Sequence, residues 1–220
     1  MLKKTAIALL AGLGVLGWVN ESYASALDRA VIPVNTIVTA NRSSGAQFSP
    51  AEAEKIIAPR SQLVIKALKD SDMKTLGTLV HPVKGVRFSP DATILPTADL
   101  IFKGEQLAPL IQKDTVFEWG AYDGTGFPMK LTLKEYLNQF VYDRDYANAE
   151  KIAYNQFIAS SSSTNNLREV YPDAIFSEYY FSGSESNDIT GMLFSSLRLI
   201  FEFYKDEWYL VGISHVHWTI

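Results

Sequence analysis

The chain contains no cysteine in its 220 residues. This absence excludes disulfides, thiol nucleophiles and thiolate metal sites. It also excludes the lipid-modified cysteine that tethers exported bacterial lipoproteins to a membrane. An exported protein without disulfides needs a core large enough to hold its fold, and a domain of about 150 residues can supply one. The composition, 47% hydrophobic and 12% aromatic, is typical of a globular domain.

Familiar catalytic and nucleotide-binding motifs are missing as well. The sequence has no nucleophile elbow, P-loop, dinucleotide fingerprint or paired-cysteine site, which counts against the common hydrolases and nucleotide enzymes. We therefore expect no cofactor. Lys and Arg number 20 against 24 Asp and Glu, giving a net charge of −4. An acidic chain is poorly suited to phosphate backbones, so we expect no nucleic-acid partner.

One uncharged apolar run stands near the N-terminus and indicates where the protein works. Lys3 and Lys4 precede the run Ala6–Val19, and Ala24-Ser25-Ala26 follows it. This order predicts a secretory signal peptide cleaved after Ala26, and hence a secreted, periplasmic or cell-envelope protein. The run is shorter than the roughly 20 residues that span a bilayer. A retained N-terminal anchor is the alternative, but after cleavage we expect no stable membrane anchor.

The remaining chain divides into two parts. We predict a tail or linker over residues 27–48 and a single α+β domain over residues 49–220. The tail contains one apolar patch, Val31–Val38, which could instead add an edge strand.

Helix signals dominate the first part of the domain. Ser49 and Glu52 form a capping-box pattern that opens a helix, which we expect to end before Pro59. A second helix is predicted over Ser61–Lys69, and Asp72 caps a third, short one.

Strand signals follow. A strand is predicted from Val83, then a hairpin around Asp123-Gly124, and Thr132 with Glu135 opens another helix. The last third is rich in strands and ends in a hairpin that turns at Asp206. Both faces of that hairpin are apolar, so we expect it at the centre of its sheet. The predicted fold class is α+β, with N-terminal helices packed on a curved, mainly antiparallel β-sheet.

Four sequence segments carry a resemblance to known proteins. They are His81–Pro90 (HPVKGVRFSP), Trp119–Gly124 (WGAYDG), Phe140–Asp143 (FVYD) and Trp208–Ile220 (WYLVGISHVHWTI). These segments resemble a family of uncharacterised exported bacterial proteins, many of them lipoproteins. The order of helices and strands is also similar to the NTF2-like (cystatin-like) superfamily. That resemblance implies a bent sheet enclosing a cone-shaped cavity, in a fold that hosts isomerases, dehydratases and non-catalytic binding modules.

Two histidines on the last predicted strand are the clearest chemical signal. His215 and His217 are two residues apart, so they share one face of the strand. A divalent metal could use both, with His81, Glu118, Asp123 or Glu178 as a third ligand. Histidines that make ordinary hydrogen bonds without a metal are the alternative. His215 could also act as a general base with Glu178 or Asp123, although Asp123 precedes a glycine and is typical of a turn.

Other side chains could bind a ligand directly. Arg87 and Arg198 lie among apolar neighbours, where they either bind an anionic ligand or pair with Glu118, Glu178 or Glu202. Aromatic side chains could line a cavity or simply fill the core. The aromatic candidates are Trp119, Tyr179 and Trp218. Asp143 and Asp145 are predicted to lie in a solvated loop.

Three hypotheses of function follow. The first is an exported, non-catalytic module that binds a small molecule, a wall component or a protein. The second is a cavity-type isomerase or hydrolase that uses His215 and a carboxylate, and the third is a metal-binding protein centred on His215 and His217. A closed interior favours the binding module. A histidine and a carboxylate at an open cavity favour the isomerase or hydrolase. Three converging ligands favour the metal-binding protein.

Overall fold

The computed structural model of the protein describes residues 47–183 and 193–218. The predicted signal peptide and nearly all of the predicted tail lie outside these residues. All described residues belong to one compact unit, residues 41–220. Within them, no helix combines the length and the hydropathy that crossing a membrane requires.

A single long helix, α1 (Pro50–Lys69), replaces the two helices predicted on either side of Pro59. Ser49 caps it through the expected capping box with Glu52. Pro59 lies inside the helix and removes one backbone hydrogen bond, at a cost of about 3 kcal/mol. The apolar stripe that includes Ile57, Val64 and Leu68 is continuous and buried across that point. The prediction of a break was wrong because burial of this stripe outweighs the local cost.

Two short helices follow α1 in the chain, and the first of them packs against it. Asp72 caps α2 (Met73–Leu79) as predicted, and α3 (Gly104–Leu110) follows later in the chain. The two helices meet where Gly77 approaches Gly104, since a Cβ on Gly77 would lie 2.4 Å from the Gly104 carbonyl oxygen. Only glycine permits so close a contact between backbones.

A β-hairpin and a run of short helical turns form the middle of the chain. Strands β3 (Val116–Ala121) and β4 (Pro128–Thr132) pair around the predicted turn, with Gly124 at φ +73°. The predicted capping box of Thr132 opens a single α-helical turn, α4 (Leu133–Tyr136), which continues as a π-helical turn, Leu137–Val141. Two further turns complete the helical part. They are the 3₁₀ turn Tyr146–Asn148 and α5 (Leu167–Val170).

Six strands form the main sheet in the order β2-β1-β8-β7-β6-β5. All neighbours are antiparallel except β1 and β8, which are parallel. The strands are β1 (Val86–Ser89), β2 (Leu100–Phe102), β5 (Lys151–Tyr154), β6 (Ile175–Phe181), β7 (Ser195–Tyr204) and β8 (Glu207–His217). The architecture is therefore α+β with a mixed, mainly antiparallel sheet. The predicted central position of the β7–β8 hairpin is confirmed.

The sheet is covered on both faces, and the strand register decides which residue faces which side. One face carries Leu197, Leu199 and Phe201 of β7 toward the helices and the β3–β4 hairpin, within the large core cluster. We call this the helix face. The other face carries Ile200 of β7 and Val211 of β8, which pack in one cluster with Leu167 of α5 and with Tyr171, just after α5. We call this the loop face. Side chains directly opposite each other on paired strands share a face.

Candidate functional site

The helix face ends in a cleft between the tip of the β3–β4 hairpin and the end of β8. Its volume is about 310 Å³. Binding sites for small molecules start at about this size. The lining residues are Pro90, Asp91, Ala121, Tyr122, Asp123, Gly124, Met129, Phe140, His217 and Trp218. Three sequence candidates, Asp123, His217 and Trp218, are thus brought together in one cleft.

Local structure explains how these side chains reach the cleft. His217 pairs in register with Ser195, and His215 pairs with Leu197, so both histidines point to the helix face as their spacing predicted. On the hairpin, the register shifts between Glu118 and Ala121, with Gly120 at φ +112°. A non-glycine residue is strained at that backbone angle. The irregularity redirects the chain just before the segment 121–124, which forms one wall of the cleft.

An aromatic column connects the core to this cleft. Trp119 stacks on Tyr136 with ring centroids 3.7 Å apart, and Tyr136 stacks on Phe140 at 5.3 Å. Phe140 lines the cleft, 6.4 Å from Tyr122 across it and 6.2 Å from His215 behind it. The π-helical turn that contains Phe140 packs against β8. The cleft therefore has a rigid aromatic wall that the core supports.

The polar groups of the cleft are acidic or neutral. Asp91 and Asp123 contribute carboxylates, and no Lys or Arg is among the lining residues that the structure describes. Burial lowers the pKa of His217 below 6.5, and the nearby His215 lowers it further, whereas Asp91, Asp123 and Asp143 act in the opposite direction. His217 is therefore neutral at pH 7, and the charge that lines the cleft is negative.

Behind the cleft lies a buried network around His215. Its ring is 4.8 Å from that of His217. Its Nε2 atom lies 3.0 Å from the Ser195 hydroxyl and 3.3 Å from an Asp143 oxygen. Tyr146 donates to the same carboxylate at 2.8 Å, and Ser195 donates to it at 2.9 Å. Burial acts to raise the pKa of Asp143, but the hydrogen bond and electrostatic interaction with His215 and the hydrogen bonds from Tyr146 and Ser195 outweigh it and lower that pKa to about 2.

The contacts of this network indicate which ring nitrogen of His215 carries a proton. The Ser195 hydroxyl lies 2.9 Å from an Asp143 oxygen, 2.7 Å from the Tyr146 hydroxyl and 3.0 Å from His215 Nε2. Nε2 also faces a carboxylate oxygen of Asp143 at 3.3 Å, and without a proton it would meet that oxygen lone pair to lone pair. Nε2 therefore carries a proton. Nδ1 of His215 is buried and has no hydrogen-bond partner within the described residues.

The residues Ser195, His215 and Asp143 do not form a hydrolase triad. In such a triad the carboxylate holds one ring nitrogen and the serine contacts the other. Here both contact Nε2 of His215. Ser195 is also only 4% exposed, so no substrate reaches its hydroxyl. The network is suited to fixing the orientation of His215, not to nucleophilic attack.

The predicted pairing of His215 with Glu178 does not occur, because the two residues lie on opposite faces of the sheet. Glu178 is opposite Arg198, and Arg198 is opposite Ser214, which places all three on the loop face. Glu178 is fully buried and pairs with Arg198 at 3.1 Å. It also accepts hydrogen bonds from the backbone of Ile158 and Ala159 and from a serine hydroxyl. Of the three carboxylates proposed for Arg198, Glu178 is therefore its partner.

Arg87 lies on the loop face, beside a second cavity of about 660 Å³. Its guanidinium donates to the Tyr171 hydroxyl at 3.2 Å and to the Pro96 carbonyl at 3.0 Å. Lys84 and Glu202, which also line this cavity, form an ion pair with each other. Its lining thus carries charges of both signs, and three of the charged residues, Arg87, Lys84 and Glu202, already have partners.

The remaining candidates lie away from the cleft. Trp119 is buried and donates from its indole nitrogen to the Leu131 carbonyl at 2.9 Å, and Tyr179 is buried against Ser61, with 2.7 Å between their oxygens. His81 caps a turn, where its Nδ1 accepts from Val83 and Lys84. Within residues 47–183 and 193–218, no three His, Asp or Glu side chains cluster as a metal site. The third ligand proposed for His215 and His217 is therefore not found there.

Sequence reasoning missed Asp143, the carboxylate that contacts His215. We expected a solvated loop, but the end of the π-helical turn carries Asp143 back against Ser195 of β7. Two signals pointed to it without being used. Asp143 closes the segment Phe140–Asp143 on which the family resemblance rests, and Tyr146 follows three residues later, in reach of its carboxylate.

Comparison with known proteins adds little to this description. No protein-family model matches the chain, and no curated protein matches it. One similar solved structure is a substituted form of the designed NTF2-like protein Rd1NTF2_05, at 10% identity and a TM-score of 0.30. The match covers 72% of this chain and 96% of that chain. A similarity of this size assigns no function, and the α+β class rests on the helices and strands themselves.

Proposed function

We propose that the protein is an exported, non-catalytic binding module that takes a small molecule into the cleft at the end of β8. The observation that carries this proposal is the composition of the cleft. Aromatic rings of Tyr122, Phe140 and Trp218 combine there with His217 and two carboxylates around a volume of about 310 Å³. Apolar walls with a few convergent polar groups are typical of small-molecule sites.

Two further features support the proposal. The signal-like N-terminal sequence favours a protein that works outside the cytoplasm. Helices packed on a mainly antiparallel sheet also favour an NTF2-like arrangement, in which a ligand lies at the open end of a cone. Phe127, at the hairpin tip, is 70% exposed, and Trp218 at the cleft is 39% exposed. Exposed large apolar side chains beside a cleft are typical of a binding surface.

The buried histidine network favours binding over nucleophilic catalysis. His215 is 5% exposed, and its Nε2 is already engaged by Ser195 and Asp143. A second candidate function, a cavity-type isomerase, is supported by one observation: His217 and Asp123 line the same cleft. A neutral imidazole and a carboxylate at one cleft can exchange protons with a substrate. Conversion of a bound compound, followed by NMR over hours, would identify that activity.

Blocking the cleft tests the proposed binding function. Ala121 lines the cleft, so Ala121→Phe fills part of its volume, whereas Ala51→Phe adds the same side chain to an exposed position on α1 outside the lining. Ligand-observed NMR on a panel of neutral, cationic and anionic small compounds is the measurement. We expect some of the compounds to bind the unmodified protein and Ala51→Phe but not Ala121→Phe. If no compound depends on an open cleft, the proposal is wrong.

A further inference from the structure

The charge of the cleft restricts the ligands that it can accept. Two carboxylates, Asp91 and Asp123, line the cleft, and within residues 47–183 and 193–218 no Lys or Arg does. An anionic ligand would meet negative charge without a compensating cation. A cation would be attracted by both carboxylates, and the interior side of the cleft screens this attraction less than bulk water does.

The aromatic side chains favour the same kind of ligand. Three aromatic side chains line the cleft: Tyr122, Phe140 and Trp218. The ring centroids of Tyr122 and Phe140 are 6.4 Å apart. The face of an aromatic ring attracts a cation within about 6 Å, most strongly for tryptophan. Aromatic walls combined with carboxylates are a general solution for binding organic ammonium groups.

A third observation, independent of charge and aromaticity, concerns hydrogen bonding. Nδ1 of His217 is buried, and Nδ1 of His215 behind it is buried too; neither has a partner among the described residues. Nε2 of His215 is engaged by Asp143 and Ser195, so Nδ1 is the nitrogen of this ring that lacks a partner. A neutral imidazole such as that of His217 presents one acceptor nitrogen. Buried acceptors without donors cost stability, so each such atom calls for an explanation.

We infer that the cleft binds a small molecule through a protonated primary or secondary amine. The ammonium group lies between Asp91 and Asp123, against the aromatic wall, and donates one N–H to the imidazole of His217. This inference rests on the proposed binding function and names the chemical class of its ligand. It involves no covalent step, and an anionic or hydrocarbon ligand would satisfy neither the charge nor the acceptors.

Four small probes separate the contributions of positive charge and of hydrogen-bond donors to binding in the cleft. Butylammonium carries charge and N–H donors, butyltrimethylammonium carries charge alone, butan-1-ol carries a donor alone, and pentanoate carries the opposite charge. We expect the affinity to fall in the order in which they are named, with no binding of pentanoate. The dissociation constant of each probe is measured by ligand-observed NMR on the full chain, and Ala121→Phe shows which binding uses the cleft.

Variants assign the two polar contributions. Asp123→Asn is expected to weaken butylammonium binding about tenfold, the typical effect of removing a charge-assisted contact. Asp173→Asn removes an equally exposed carboxylate far from the lining and is expected to change nothing. His217→Phe keeps an aromatic ring at this position but removes the ring nitrogens, so it should weaken the binding of butylammonium more than that of butyltrimethylammonium. His217→Asn, whose amide oxygen takes the place of Nδ1, should restore part of that difference.

The results distinguish this inference from the proposed function. If butan-1-ol or pentanoate binds as well as butylammonium and Ala121→Phe blocks them all, the cleft binds small molecules but the assignment of an amine is wrong. An Asp123→Asn variant that binds butylammonium normally also overturns it. If no probe of any charge depends on the open cleft, the proposed function fails together with the inference.

Discussion

The two faces of the central strands surround their buried polar groups differently. On the loop face, Glu178 and Arg198 are 0% and 1% exposed, and the carboxylate accepts hydrogen bonds from the guanidinium, two backbone amides and a serine. Nη1 of Arg198 makes no hydrogen bond among the described residues, but the guanidinium lies 4.7 Å from the ring of Phe157. On the helix face, His215 is 5% exposed, and one of its ring nitrogens also has no hydrogen-bond partner among the described residues.

The two surroundings distinguish a polar pair that is enclosed by protein from polar groups that lie beside a cleft. The Glu178–Arg198 pair is enclosed by protein, so its interactions contribute to folding and are unavailable to a ligand. His215 is tied to Asp143 and Ser195 on one side only, and its neighbour His217 borders a cleft. Arg198 was a candidate for ligand binding on sequence, but its surroundings resemble those of a core ion pair.

The largest expected effect on stability comes from breaking the buried ion pair of the loop face. Glu178→Ala leaves the Arg198 charge buried without its counterion and removes the acceptor for the amides of Ile158 and Ala159. We expect the free energy of unfolding to fall by about 3–5 kcal/mol, measured by chemical denaturation. The double variant Glu178→Leu with Arg198→Met should recover much of this loss, because it leaves no unpaired charge. A loss under about 1 kcal/mol for Glu178→Ala would contradict the structural role.

An intermediate effect is expected from Asp143 on the helix face. Asp143→Asn removes the charge that accepts from Tyr146, Ser195 and His215, and should lower the free energy of unfolding by about 2 kcal/mol at pH 7. The pKa of Asp143 is lowered from 3.8 to about 2, so its stabilising contribution is complete above pH 3.8 and is lost as the pH falls through about 2. The difference between the two proteins should therefore narrow below pH 4 in acid denaturation curves. Asp173→Asn is the matched control, for which we expect no such difference.

The smallest effect on stability is expected at the cleft itself. His217→Phe removes a buried nitrogen without a partner, so the free energy of unfolding at pH 7 should change by no more than about 0.5 kcal/mol. Because burial lowers the pKa of His217 below 6.5, its protonation on acidification destabilises the folded state. The variant should therefore gain stability relative to the unmodified protein between pH 7 and pH 5. A large loss of stability at pH 7 would show that His217 is structural and would weaken the comparison between the two faces.

Much of the fold could be predicted because local signals and burial agreed. The capping boxes at Ser49 and Thr132 and the Asp123-Gly124 turn act through neighbouring residues, and each is found where the sequence placed it. The break at Pro59 was predicted wrongly because a local penalty was weighed without the sheet that buries α1. The strand predicted from Val83 begins only at Val86, since His81 and the intervening residues form a turn.

The candidate site was predictable only in part. Strand alternation was enough to place His215 and His217 on one face, and an apolar pattern on both sides was enough to place β8 inside the sheet. The partner of His215 was not predictable in this way. Asp143 lies 72 residues before it in the chain, and its approach depends on how the π-helical turn packs against β8.

Local sequence patterns were enough to predict the α+β class, the capped helix starts, the turn of the hairpin, the shared face of the two histidines and the absence of any cysteine chemistry. Each follows from properties of single residues or from the period of a strand, which act over a few neighbouring positions. Long-range packing, by contrast, places Glu178 and His215 on opposite faces, brings Asp143 to His215, and gathers Asp91, Asp123 and Trp218 at one cleft. Those relations depend on strand register and on packing between distant segments, and a one-residue change of register would exchange the two faces.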